Sequence, residues 1–467
     1  MPVNLFDEIL LWPVRLVGSP EFTEGREPRV DREATLDRWT EILTSGSSKW
    51  RAADVHKGEL SDNEYAERVY FHPFVRQFLY GGERRRPPLR RLTRHDVGRV
   101  RIQFGTSSIE LDVRRVELLL DIRVAILAVE IISRGTLTLD EALLIRDQFR
   151  RVYPPFWMDS LPGLCPDRVE WLDKNGKLIP GASASDFDHK TEYLKCVREH
   201  NEPRVAAHWG WMMSPLTADA GERTENTIRY RHVVDERIPE MGYLALSYPA
   251  GISRADWVRL AFLDSPGTGM PYSSEFLRDF EAKYCYDRFW SPMPPEGPML
   301  TRFLNCGYGF TMISSGEPAY LHSHFRNHYF QMGLIAYFQK AWLLVLEQEL
   351  FETVAALNEG DSDQFRTRIE AVHQEIAEFT TRYWFTEVSS QVQPQELFEW
   401  WLDRLGTPKL YGQLLEEVRS VDHVLNAVRD RRRNREMSIL TWVGTVGLAL
   451  GLGINFLGMN VISRDLD

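Results

Sequence analysis

Residues 439–459, ILTWVGTVGLALGLGINFLGM, carry no charged side chain, and this run constrains the chain more than any other stretch. As a helix it would be about 31 Å long, enough to cross the hydrocarbon core of a bilayer. A helix of that length on the surface of a globular fold keeps a polar face, and this run has none. The basic residues Arg429, Arg431, Arg432, Arg433 and Arg435 stand on its N-terminal flank. The positive-inside rule puts that flank in the cytoplasm. The expectation is a single-pass protein of the plasma (bacterial inner) membrane with a cytoplasmic N-terminal domain, in contact with membrane lipid.

Two further signals lie inside the run. Gly444, Gly451 and Gly458 recur at seven-residue spacing, and Gly447 with Gly451 makes a GxxxG. Small residues let helix backbones approach closely, so self-association follows, although glycine is also common in membrane helices generally. Asn455 and Asn460 place amides inside or at the rim of the apolar run, where each needs a partner or water.

Upstream, 43% hydrophobic and 12% aromatic residues suffice for a substantial core. The net charge of −11 argues against nucleic acid as a partner of the whole chain. Cys165, Cys196, Cys285 and Cys306 lie far apart with no CxxC pair, and read as reduced, packed thiols. Asp7 and Glu8 interrupt the first apolar residues, so no targeting segment is read there.

The strongest strand signal is RVRIQF (Arg99–Phe104) and SIELDV (Ser108–Val113) around Gly105-Thr106-Ser107, a hairpin pattern. Val116–Leu120, Ala125–Ile132, Tyr243–Tyr248 and Cys306–Ser314 read as further strands, and Asn4–Val17 as either a strand or a short docked helix. Thr138 with Glu141 forms a capping box that opens a helix. Ser253 and Ser274 read as further helix caps. The basic stretch Arg84–Arg94 reads as a solvated loop in preference to a binding patch. From Phe325 the periodicity becomes helical through Leu357, then again over Phe365–Val388. From Leu410 the apolar steps through Leu414, Val418, Val421, Leu425 and Val428 approach a heptad seam.

The organisation expected is an N-terminal mixed region at 1–95, a cytosolic α/β (α+β) domain with a mixed sheet at 96–320, a helical hairpin at 321–407, a stalk helix at 408–438, a transmembrane helix at 439–460 and a short external tail at 461–467. His324 and His328 share a helical face beside His322 and Ser323. They lack a nearby carboxylate in metal-ligand spacing, so a surface or capping role is favoured and the metal ligands stay unassigned. No GxxxxGK[ST] and no GxSxG occurs, and no catalytic constellation stands out, so an enzyme is not expected.

Gly458-Met459-Asn460 closes the apolar run, and Asn434, Met437, Leu440, Thr441 and Leu448 precede it in one ungapped register. The segment from Gln364 to Asn460 resembles the stalk-to-pore part of the CorA family of magnesium channels, and Val116–Trp157 looks like its divergent bacterial cytosolic domains. The resemblance implies a homopentamer whose pore is lined by Met437, Leu440, Leu448, Gly451 and Asn455, with Gly458, Met459 and Asn460 as the selectivity entrance. It also implies Mg²⁺ or another divalent cation as the transported or regulatory ion, and no covalently bound cofactor. A ring of amide and carbonyl oxygens suits a cation that gives up its water reluctantly. The family's second membrane helix has no counterpart here: Val461–Asp467 follows the GMN. The alternative is therefore a non-transporting, membrane-anchored sensor or effector, for example of stress or defence, that reuses the scaffold and binds a small molecule or protein in its cytosolic domain.

Overall fold

The computed structural model describes residues 1–17, 31–53, 60–82, 86–155, 164–185, 189–199, 203–218, 227–269, 272–291, 300–355 and 362–421. The chain divides into two compact units. One comprises Met1–Gln348 with Ile376–Leu410, the other Glu349–Glu375 with Tyr411–Asp467.

In chain order, β1 (Pro2–Val17) is followed by α1 (Arg32–Thr44), β2 (Arg51–Ala52), α2 (Asp62–Tyr70), α3 (Pro73–Tyr80), β3 (Arg90–Thr93), β4 (Arg99–Phe104), β5 (Ser107–Leu120) and β6 (Val124–Thr138). Then come α4 (Leu139–Gln148), β7 (Arg168–Leu172), β8 (Leu178–Ala184), α5 (Lys190–Arg198), α6 (Ala207–Met213), β9 (Thr217–Ala218), β10 (Arg229–His232) and β11 (Glu240–Leu246). The remainder is α7 (Arg254–Phe262), α8 (Ser274–Tyr284), β12 (Cys285–Phe289), β13 (Thr301–Asn305), β14 (Gly309–Ser315), α9 (Ala319–His324), α10 (Phe330–Ala355), α11 (Ser362–Arg382) and α12 (Val392–Leu405).

The fold is α/β with a mixed sheet. Its main path runs β12-β13-β14-β11-β1-β6-β5-β4-β7-β8, and β10 extends the row of β11 along β1. β11 and β14 pair in parallel, whereas β1 pairs antiparallel with both β6 and β11. β1 is buried almost throughout, which is why its sequence reads as a nearly continuous apolar run and lacks strict alternation: both faces of the sheet are covered there. The hairpin of β4 and β5 closes with Phe104 opposite Ser107. The capping box at the start of α4 is formed, Thr138 accepting from the Glu141 amide and Glu141 from the Thr138 amide.

Phe6, Leu10, Trp12, Val129, Leu244 and Ile313 line one face of the sheet within a continuous apolar core that includes side chains of α4 and α7. On the other face, α10 and α12 close over Met241 and Phe310. Trp401 stacks on Phe310 with ring centres 4.3 Å apart and planes 8° from parallel. The Tyr337 hydroxyl donates to the carbonyls of Glu240 (3.3 Å) and Gly307 (3.2 Å). Between α9 and α10, Phe325–Tyr329 forms one π-helical turn, a local widening often found beside functional residues.

The structure corrects the expected membrane architecture. Among the described residues no helix is long and apolar enough to cross a membrane. The longest described helix, α10, buries Leu334, Tyr337, Phe338 and Trp342, while Phe351 and Val354 near its end are exposed. The fold class with a transmembrane element, the plasma (inner) membrane placement and the ion-channel reading are set aside on this finding. The proposed transmembrane helix at 439–460 and the tail at 461–467 lie outside the described residues. Of the expected stalk, 408–421 is helical, with Leu410, Leu414 and Val418 buried. The chain beyond 421 is outside the described residues.

Gly333 of α10 permits the close approach to the sheet. A methyl group there would come within 2.6 Å of Met241 Sδ and 2.8 Å of the Trp401 ring. Gly333→Ala is expected to destabilise the protein by roughly 1–3 kcal/mol through overpacking, measured by urea unfolding followed by tryptophan fluorescence.

Candidate functional site

The sheet carries charges on both faces of β1. Asp7 points to the side of α9 and is fully buried. It accepts a contact from His322 Nε2 at 2.6 Å, and the Arg326 guanidinium lies 3.7 Å away. Arg326 also binds the buried Glu130, which pairs with Arg115 at 3.0 Å. Burial raises the Asp7 pKa against the opposing pull of its His322 hydrogen bond. Glu8 points to the side of α4, where Glu240, Arg146 and Arg150 are also buried. Arg146 donates through Nε to Glu240 Oε1 at 2.6 Å and through Nη2 to Thr311 Oγ1 at 2.7 Å. The carboxyl groups of both networks are buried, and the networks tie helices to the sheet.

An open cleft of about 920 Å³ lies elsewhere on the same unit. α1 forms its first wall. Asp31 caps that helix by accepting from the amides of Glu33 and Ala34, and Thr44 Oγ1 bonds back to the Thr40 carbonyl at its end. The chain then turns through Gly46, whose φ of 60° suits a residue without a side chain. Ser48 Oγ closes the turn by donating to the Leu43 carbonyl at 2.5 Å. Lys49 is left exposed at the mouth. The opposite wall comes from α6 and the segment after it. Trp50 Nε1 donates to the Ser214 carbonyl at 2.9 Å, joining the two walls.

Arg94 forms the floor. It grips Asp96 with two parallel bonds, 3.1 Å from Nε and 2.8 Å from Nη2, and donates from Nη1 to the Met212 carbonyl at 2.9 Å. Its guanidinium lies over the rings of Trp211 (4.4 Å) and Trp50 (5.6 Å). Arg38, Glu41 and the apolar side chains Ile42, Ile179, Pro215 and Ile228 complete the lining. The space is of the size that small-molecule sites occupy, and its lining mixes charged and polar groups with one tryptophan ring and a few apolar side chains.

The site residues taken from the family resemblance lie outside the described residues: Met437, Leu440, Leu448, Gly451, Asn455, Gly458, Met459 and Asn460, with the flanking Arg429, Arg431, Arg432, Arg433 and Arg435. The histidine cluster is not the surface or capping feature expected. His322 is held against Asp7 and stacks on Tyr243 at 5.3 Å. His328 meets His324 edge-on at 4.9 Å, and burial followed by that neighbouring ring pushes its pKa down to about 4. Among the described residues no group of three or more His, Cys, Asp and Glu side chains is placed to hold a metal ion. The four cysteines are free thiols.

The cleft was not legible as a motif. The Arg84–Arg94 stretch reads as a solvated loop, yet Arg90 and Arg94 are buried. The usable signal was Leu89 and Leu92 beside those arginines: both are core positions, and Arg90–Thr93 is a strand. Removing the fork of Arg94 strands the Asp96 carboxylate and the Met212 carbonyl. Arg94→Ala is expected to cost roughly 2 kcal/mol in urea unfolding. Arg94→Lys should recover less than half of it, because an ammonium cannot reproduce the paired geometry.

No protein family, curated protein or solved structure matches this chain.

Proposed function

We propose that the mixed-sheet unit is the ligand-binding part of a sensor or effector, and that its ligand is a small anionic molecule with an apolar or planar body. The cleft floored by Arg94 and Trp211 carries this reading. Its volume of about 920 Å³ falls in the range of small-molecule sites. Its polar lining holds Arg38 and Lys49 against Glu41, while Arg94 and Asp96 are engaged with each other. The chain as a whole has a net charge of −11, so an anion is drawn here by local groups and not by the overall field.

Binding without turnover is the simpler role, because the cleft residues make no nucleophile–base pair. The expectations of Mg²⁺ passage and of a homopentamer come from the resemblance over Gln364–Asn460, a segment that contributes nothing to the cleft.

Anilinonaphthalene sulfonate, an aromatic anion, tests the reading. Fluorescence titration should show one saturable site. Lys49→Glu and Trp211→Ala should each raise its Kd about tenfold or more, equivalent to about 1.4 kcal/mol, with the thermal midpoint of Lys49→Glu close to wild type. Unchanged affinity in both variants would remove the cleft as the site.

A further inference from the structure

We propose that Glu8 and Glu240 share a single proton, and that this proton is part of the fastening between α4 and the sheet. Register places the two residues on one face. Glu8 stands opposite Gly242 on β11, and Glu240 lies two residues along that strand, opposite Leu10. Such diagonal neighbours are within reach of long side chains. Both are fully buried.

The hydrogen-bond pattern argues for the proton. Neither carboxyl oxygen of Glu8 has a donor among the described residues, and neither has Glu240 Oε2. The facing cations do not supply one. Arg146 donates Nε to Glu240 Oε1 and Nη2 to Thr311, and neither its Nη1 nor Arg150 Nε reaches an acceptor, those of Glu8 included. An ionised Glu8 would be a buried charge with no hydrogen bond, costly even with two guanidinium groups nearby. A protonated Glu8 donates to Glu240 Oε2 and satisfies an atom of each residue at once. Glu240 then keeps its charge for Arg146. The other groups near the pair are Thr311 on β14, Cys306 before it, and Asp147 with Arg151 on and after α4; those last two pair with each other at 2.6 Å. Asp7 faces the opposite side of the sheet. Desolvation, then the neighbouring Glu240 charge, holds the Glu8 pKa well above its ordinary value.

The sign of the linkage is the reverse of the usual carboxylate case. The folded state holds this proton more tightly than the unfolded chain. The stabilisation is therefore complete below the ordinary value of 4.5 and is lost as the pH rises towards the raised one.

Glu8→Gln keeps the shape and a donor but cannot ionise. In urea unfolding across pH, the folded-to-unfolded ratio of wild type should fall relative to that variant by about tenfold per pH unit above that ordinary value. Parallel curves would overturn the proposal. Infrared spectroscopy gives the independent reading. At neutral pH the full chain should show a protonated carboxyl C=O band that survives Asp7→Asn and disappears in Glu8→Gln. No such band in wild type, or a band retained in Glu8→Gln, would overturn it as well. Should Glu8→Gln not fold, the band in wild type and its survival in Asp7→Asn decide the question.

Discussion

Asp7 and Glu8 are neighbours in sequence and opposite in space, because successive side chains of a strand point to opposite faces. β1 lies between β6 and β11, with helices over both faces, so each carboxyl enters a different buried layer. Each layer must answer it. On one side α9 brings His322 and the π-turn brings Arg326. On the other, α4 brings Arg146 to Glu240 beside Glu8. A buried charge left unpaired costs several kcal/mol, so the two helical layers can dock only in positions that deliver these cations. Apolar packing alone tolerates sliding; this arrangement does not.

The backbone is shaped around the same demand. Gly242 lies beneath the Arg146 guanidinium, and a methyl group there would stand 2.8 Å from its central carbon. A residue with any side chain at this point of β11 would push Arg146 away from Glu240. The glycine is thus a consequence of the ion pair and has no special backbone angle to serve. Replacing such a network with apolar residues often leaves stability unchanged or improves it. Its physical contribution here is better described as fixing which helix sits where than as holding the fold together.

Local signals in the sequence were legible and long-range ones were not. The β4–β5 hairpin and the Thr138–Glu141 capping box depend on residues a few positions apart, and both are present. The Ser253 cap is present, while the next cap is Ser273 and not the expected Ser274. β1 was ambiguous because two-sided burial erases alternation, and its partners β6 and β11 are more than a hundred residues away. Asp7 and Glu8 looked like interruptions of an apolar run, when they are the buried carboxyl groups around which two layers assemble. The apolar run at 439–459 dominated the reading of the sequence as a whole.

The cleft shows the same limit from the side of function. Its walls come from 38–49, 94–96, 179–180, 211–215 and 227–228, five short segments with no common motif. None is informative alone; Arg94 in particular looks like the end of a basic loop until Trp50, Asp96 and Trp211 surround it. This assembly has an energetic consequence. A ligand that touches α1, the Lys49 turn and α6 together binds only the folded arrangement, so its binding free energy adds directly to the stability of that arrangement. α6 is itself anchored to the segment after α4, where Ala206 donates to the Val152 carbonyl at 2.7 Å and Trp209 to the Arg151 carbonyl at 3.0 Å. The cleft and the buried carboxyl layer therefore share a support, and a force that shifts one segment is resisted by the other.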